Sequence, residues 1–151
     1  MKSILTRCLL LLLCLIPLSL SAETREEAKE MALKAKTFVE QNDLDTARKA
    51  FQDKNGEFIK GELYVFVQDF DGNMLIHGVI PKLDNTNHIN LRDPKGTYFV
   101  KEMISLAQSP SQEGWVEYIW KHPITGKLTP KVTYVRKLDN SNAFIGCGVF
   151  L

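Results

Sequence analysis

The sequence predicts an α+β fold, with an antiparallel sheet and its helices set apart from it. Two observations carry this. Apolar periodicities run in the order helix, helix, strand, strand, helix, strand, strand, strand, without the strand–helix alternation that a parallel sheet requires. The chain has 151 residues, is 44% hydrophobic, and shows no repeat, low-complexity run or linker, which suits one domain.

Residues 1–22 should not contribute to that domain. Lys2 and Arg7 form a basic start, "CLLLLLCLIPL" is an apolar run broken by Pro17, and "SLSA" supplies small residues for cleavage near Ala22. That is the plan of a secretory signal peptide, and the run is short of the roughly 20 residues of a membrane span. The expected mature chain, residues 23–151, is a soluble periplasmic or secreted domain. Nineteen basic residues face eighteen acidic ones in the full chain. Loss of Lys2 and Arg7 turns a net charge of +1 into −1. A near-neutral chain gives no electrostatic case for binding nucleic acid or an anionic membrane surface. Cys147 alone remains of three cysteines, so no intrachain disulfide is expected and the core must supply the stability.

"TREEAKEMALKAKTFVEQ" predicts a helix over about 24–41. Thr24 and Glu27 form a capping-box pair, and Ala28, Met31, Ala32, Ala35, Phe38 and Val39 make one apolar stripe. "ND" at 42–43 stops it, and Leu44, Ala47 and Phe51 predict a second, short helix. "GELYVFVQDFDGNMLIHGVI" predicts a hairpin, with strands at Leu63–Val67 and Met74–Val79 around the Asp69–Gly72 turn. The polar stretch "PKLDNTNHINLRDPKG" is too long for a tight connection and suits a binding loop over a pocket, with His88 in it. "TYFVKEMISLAQ" predicts a helix with Phe99, Met103, Leu106 and Ala107 on one side. Two strands around "HPITGK" follow, and "NAFIGCGVFL" predicts the last strand.

Several chemistries are poorly supported. "DFDGN" alternates acidic and amide side chains, but a calcium loop needs glycine at its sixth position and glutamate at its twelfth, where this chain has Met74 and Ile80. His77, His88 and His122 lie far apart without metal-ligand spacing, so no metal or cofactor is expected. No local signature makes Cys147 a nucleophile. "GCG" at 146–148 has no helix after it to cradle a phosphate and marks instead a close backbone approach or a bulge. The chain does not read as an enzyme.

"GWVEYIWKHPITGKLTPKVTYV" holds the most informative pattern. Strand alternation puts Val116, Tyr118 and Trp120 on one face of the first strand. On the second, Lys131, Thr133 and Val135 share a face, opposite Val132, Tyr134 and Arg136. Ordinary sheet packing with an exposed lysine would produce this pattern. So would a small carboxylate site, in which phenol, indole and imidazole groups and one cation sit in an apolar shell.

At these residues the sequence resembles the single Cache domain family, extracytoplasmic sensor modules with a PAS-like fold. "GELYVFVQDFDGNMLIHG" resembles the family's first hairpin, and "LRDPKGTYFVKEMISLA" its Asp-x-x-Gly-x-x-Phe-Val segment and helix. The aromatic stretch resembles its Tyr-x-Trp, Pro-x-x-Gly and Pro-Lys-x-x-Tyr-Val elements, and "FIGCGVFL" its closing strand. The resemblance implies a five-stranded antiparallel sheet with the final strand central, and a long N-terminal helix packed on it. It implies a small organic acid as ligand and a ligand-binding role for Phe66, His77, Tyr118, Trp120, Lys131 and Tyr134. "HGVIP" replaces the family's frequent His-Pro, so the loop after His77 should differ. Lys131 and Tyr134 share a pocket only if a bulge intervenes near Pro130 or one enters from an edge. The implied function is a free-standing sensor that passes occupancy to a membrane receptor, kinase or transporter. The alternative is an interaction or structural protein of the same fold whose pocket has degenerated.

Overall fold

The structure, a computed structural model, describes residues 22–151; the signal peptide expected at 1–22 lies outside the described residues apart from Ala22. Helix α1, Arg25–Gln41, begins where the capping box requires. The Thr24 hydroxyl accepts from the Glu27 amide at 3.2 Å, and the Glu27 carboxylate accepts from the Thr24 amide at 2.8 Å. Ala28, Ala32 and Ala35 are fully buried, and their small side chains let α1 lie close on the sheet. Helix α2, Leu44–Gln52, is capped by Asp43 and buries Ala47 and Phe51.

The sheet is antiparallel. Its strands are β1 (Ile59–Lys60), β2 (Leu63–Asp69), β3 (Met74–His77), β4 (Glu113–Lys121), β5 (Leu128–Lys137) and β6 (Ala143–Phe150), and helix α3 (Phe99–Ala107) lies between β3 and β4 in sequence. The order is β1-β2-β6-β5-β4, with β3 paired to β2 on the same side as β1. The closing strand is therefore central, flanked by β2 and β5. The two-residue β1 makes a sixth strand; two residues carry no periodicity from which it could be read.

The "DFDGN" segment is a turn built by Asp69. Its carboxylate accepts from the Asp71 and Asn73 amides and from the Asn73 side chain, so both oxygens are committed within the turn. Gly72 has φ +89°, and a Cβ there would meet Ile89 of the following loop. The irregularity expected near Pro130 is elsewhere. β4 and β5 pair without a break from Glu113↔Arg136 to Lys121↔Leu128, whereas the β2–β3 register shifts between Val67 and Gln68.

Alternation then divides the interior in two. Leu63, Val65, Val67, Val132, Tyr134, Ile145, Cys147 and Val149 pack under α1 and α2. Phe66, Met74, Val116, Tyr118, Val135 and Phe144 pack under α3. Residues 78–98 connect β3 to α3 through a 3₁₀ turn at Pro81–Leu83. The Asp84 carboxylate fastens this segment, accepting from the His77 amide at 2.8 Å, Gln52 Nε2 at 2.8 Å and Arg48 Nε at 3.2 Å. Arg48 also donates to the Leu75 carbonyl, so β3, the 3₁₀ turn and α2 share one polar bracket.

Candidate functional site

The α3 side of the sheet encloses a cavity. β2 contributes Tyr64, Phe66 and Gln68, β3 Met74 and His77, β4 Tyr118 and Trp120, α3 Phe99, Val100 and Met103, and the polar loop His88. Its volume is about 20 Å³, room for about one water-sized group. Gly146 and Gly148 of β6 face this side. A Cβ at Gly146 would overlap the Phe66 ring, and one at Gly148 would overlap the Thr133 hydroxyl, so "GCG" marks the close approach of β2 and β5 side chains to the central strand.

The walls are aromatic. Phe99 stacks on Tyr118 with centroids 4.4 Å apart, and His77 lies 5.0 Å from Tyr64 and 6.4 Å from both Phe66 and Trp120. The Tyr118 hydroxyl is 3.1 Å from Thr133 Oγ1. Burial pushes the Tyr64 and Tyr118 phenols above their ordinary range, so they are neutral hydrogen-bonding groups. Burial, reinforced by the Lys131 and His88 charges, lowers His77 to about 3, so its ring is neutral too. The Ile80 amide donates to His77 Nδ1 at 3.0 Å. The ring proton then sits on Nε2, which leaves a donor at the outer end of the imidazole.

Lys131 is fully buried. Its Nζ has no hydrogen-bond partner and lies 3.9 Å from the Tyr64 ring centroid and 4.9 Å from that of Phe150. Ring faces return about 2 kcal/mol to a desolvated ammonium, whereas burying the charge costs several. Desolvation therefore wins and lowers Lys131 to about 7, against weak opposition from Cys147 and Glu62.

Among the six residues singled out in the sequence, Phe66, His77, Tyr118 and Trp120 line the cavity. Lys131 stands behind the Tyr64 ring on the same side of the sheet. Tyr134 lies on the other face, beside Trp115 and under Lys29 of α1, and bonds Glu113. Tyr64, Gln68 and the α3 side chains were not singled out. Tyr64 and Gln68 flank Phe66 at two-residue spacing, which is the signal that finds them. Cys147 is on the Tyr134 face, 3.8 Å from Met31 Sδ, with its thiol raised by burial to about 12. It is a packing residue there, far from the thiolate a nucleophile needs. His88 is 2.8 Å from Thr86 Oγ1, and no group of three or more His, Cys, Asp or Glu suited to a metal ion occurs among the described residues.

An aromatic cavity between an antiparallel sheet and one helix, with a long helix on the opposite face, is the plan of a small-molecule sensor domain. The chain belongs to the Cache domain family, whose model matches residues 22–151. The sensor histidine kinase MctS of Rhizobium johnstonii is 34% identical over 88 residues, which is 58% of this chain and 19% of the kinase. The methyl-accepting chemotaxis protein McpP of Pseudomonas putida is 31% identical over 88 residues, 58% of this chain and 16% of that protein. The chain thus matches less than a fifth of the length of either. A methyl-accepting chemotaxis protein from Vibrio parahaemolyticus shares the fold with a TM-score of 0.71 at 20% identity, covering 83% of this chain and 86% of that one. A Cache chemosensory domain whose structure describes carboxylic acid recognition superposes with a TM-score of 0.69 at 23% identity, covering 83% of this chain and 92% of that domain. No described helix is long and apolar enough to cross a membrane.

Proposed function

We propose that this chain is a periplasmic sensor domain that binds a small carboxylate between the sheet and α3 and passes occupancy to a membrane partner. The observation that carries this reading is Lys131, a buried amine with no polar partner behind the aromatic wall. A cation is retained in such a place at a cost, and an anion brought beside it removes that cost. The neutral phenols, the Trp120 indole and the Nε2–H of His77 supply donors for carboxylate oxygens. The reading assigns ligand contact to Phe66, His77, Tyr64, Tyr118, Trp120 and Lys131, no catalytic step, and no part to Tyr134. Relatives in a sensor kinase and a chemotaxis protein support a membrane receptor or kinase as the partner. The carboxylic acid recognition described for one fold neighbour supports the ligand class.

The cavity volume of about 20 Å³ favours a second reading, a Cache domain whose pocket is filled by its own side chains and which acts by contact with other proteins. A carboxylate then needs Tyr64 or the His88 loop to move. Thermal-shift measurements with acetate, propionate, pyruvate and succinate separate the two. A cognate acid at 100 times its Kd adds about 2.7 kcal/mol. Stabilisation by none of a wide set of acids leaves the second reading in place.

A further inference from the structure

We propose that Lys131 is a carbamylation site, at which dissolved carbon dioxide adds to the buried amine and places a negative charge behind the cavity wall. The inference rests on the sensor reading only in taking the cavity as a binding site; its chemistry does not involve the organic acid. Three observations lead to it. Nζ is fully buried without a polar partner, so its lone pair is not engaged by a donor. It is held between the faces of Tyr64 and Phe150, an apolar slot that favours the uncharged amine over the ammonium. The cavity of about 20 Å³ beyond the Tyr64 ring is tight for an organic acid, and a linear triatomic molecule makes the smaller demand on it. Carbon dioxide is small and uncharged, so it crosses an aromatic wall without the desolvation cost that a carboxylate meets.

In the step, the Nζ lone pair attacks the carbon atom. An N–C bond forms, one C–O π bond becomes a carboxylate oxygen, and one N–H proton leaves to the buffer. The product carries −1 where the reacting amine was neutral. Its oxygens have donors on this side of the sheet, in the Tyr118 and Thr133 hydroxyl pair and the Nε2–H of His77. A carbamate in this position sets a negative charge behind the Tyr64 ring and repels a carboxylate in the cavity. Carbon dioxide therefore competes with the acid and sets the sensor's threshold.

The titratable groups around Nζ are Tyr64 of β2, His77 of β3, Tyr118 of β4, Cys147 of β6 and Glu62 before β2. Tyr64, His77, Tyr118 and Cys147 are all neutral at pH 8, so the amine's own state governs the reaction. At that pH its neutral fraction exceeds that of an exposed lysine by about two orders of magnitude.

The test equilibrates the purified domain with ¹³C-labelled bicarbonate at pH 8 in a closed vessel. A carbamate carbon resonance is read by NMR, and the adduct is then trapped with a trialkyloxonium salt and mapped by peptide mass. The expected result is one trapped site, on the peptide holding Lys131, that is lost when the sample is swept with nitrogen before trapping. Lys131→Met should abolish it and Lys127→Met, in the exposed β4–β5 turn, should not. If Lys131→Met does not fold, the wild-type peptide map decides alone. Label absent from Lys131, or spread evenly over exposed lysines, overturns the proposal. Thermal shift by acetate in carbonate-free buffer is measured in parallel. Acetate binding without carbamate removes this inference and leaves the sensor reading; carbamate without stabilisation by any acid does the reverse.

Discussion

The side of the sheet under α1 and α2 buries Ala28, Ala32, Ala35, Val65, Ile145 and Cys147, all without charge, and its aromatic rings Phe38, Phe51 and Phe58 pack edge to face or tilted at 4.7–5.9 Å. The α3 side buries a lysine without a partner, a neutral histidine and two phenols, and its central strand presents glycines instead of side chains. Both sides use the same strands. The difference shows where stability and recognition are placed. One side is close-packed and apolar, as a stable core requires. The other buries an ionisable amine whose desolvation weakens the fold and that a ligand can relieve. In an alternating sheet, a residue of one role always sits next to a residue of the other. Lys131 precedes Val132 and Gly146 precedes Cys147.

The largest expected effect abolishes the comparison. Deleting residues 144–151 removes β6 from between β2 and β5 and exposes two edges, so the truncated chain should show no cooperative melt by circular dichroism. A melt like that of the full domain would mean that β6 does not hold the sheet together. Lys131→Met separates the two sides. The lysine is lowered from 10.5 to about 7, so between these values the unfolded chain holds a proton that the folded one has lost. Unfolding free energy therefore rises with pH across that window, by an amount on the order of 5 kcal/mol. His77, lowered from 6.5 to about 3, contributes a rise of the same sign between those values. In Lys131→Met the rise between pH 7 and 10 should vanish and stability at pH 6 should increase, while stabilisation by a cognate acid is lost. Melting curves at pH 6, 8 and 10 check this; a variant with an unchanged pH slope would refute the burial of a neutral amine.

Phe51→Ala acts on the other side only. It removes a ring in contact with Phe38 and Phe58 and should cost about 3–5 kcal/mol by urea unfolding, with the shift produced by the cognate acid preserved. Equal loss of stability and of acid binding would show that the two sides are not independent. Lys127→Met, in the exposed turn before β5, should change stability by less than about 0.5 kcal/mol and leave acid binding intact.

Much of this division was legible in the sequence because it follows from period two. Alternation alone placed Lys131 and Tyr134 on opposite faces, and the unbroken β4–β5 register holds them there. The family resemblance grouped them in one pocket, and at Tyr134 the local rule was the better guide. The Thr24–Glu27 box and the Asp69 turn were legible because capping and turn chemistry are local. The burial of Lys131 was not, since it depends on Phe150 of the neighbouring strand β6 and on Tyr64 of β2 beyond it. Nor was the roof of the cavity. Phe99 and Met103 made an apolar stripe, but which surface that stripe covers is decided by the path of residues 78–98.

The Asp84 bracket has a kinetic consequence. Its carboxylate binds the His77 amide together with two side chains of α2, so that amide exchanges its hydrogen with solvent only when strand, turn and helix separate together. The cavity wall and α2 then form one opening unit, and the slowest clock at the site is set by a carboxylate that lies outside the cavity.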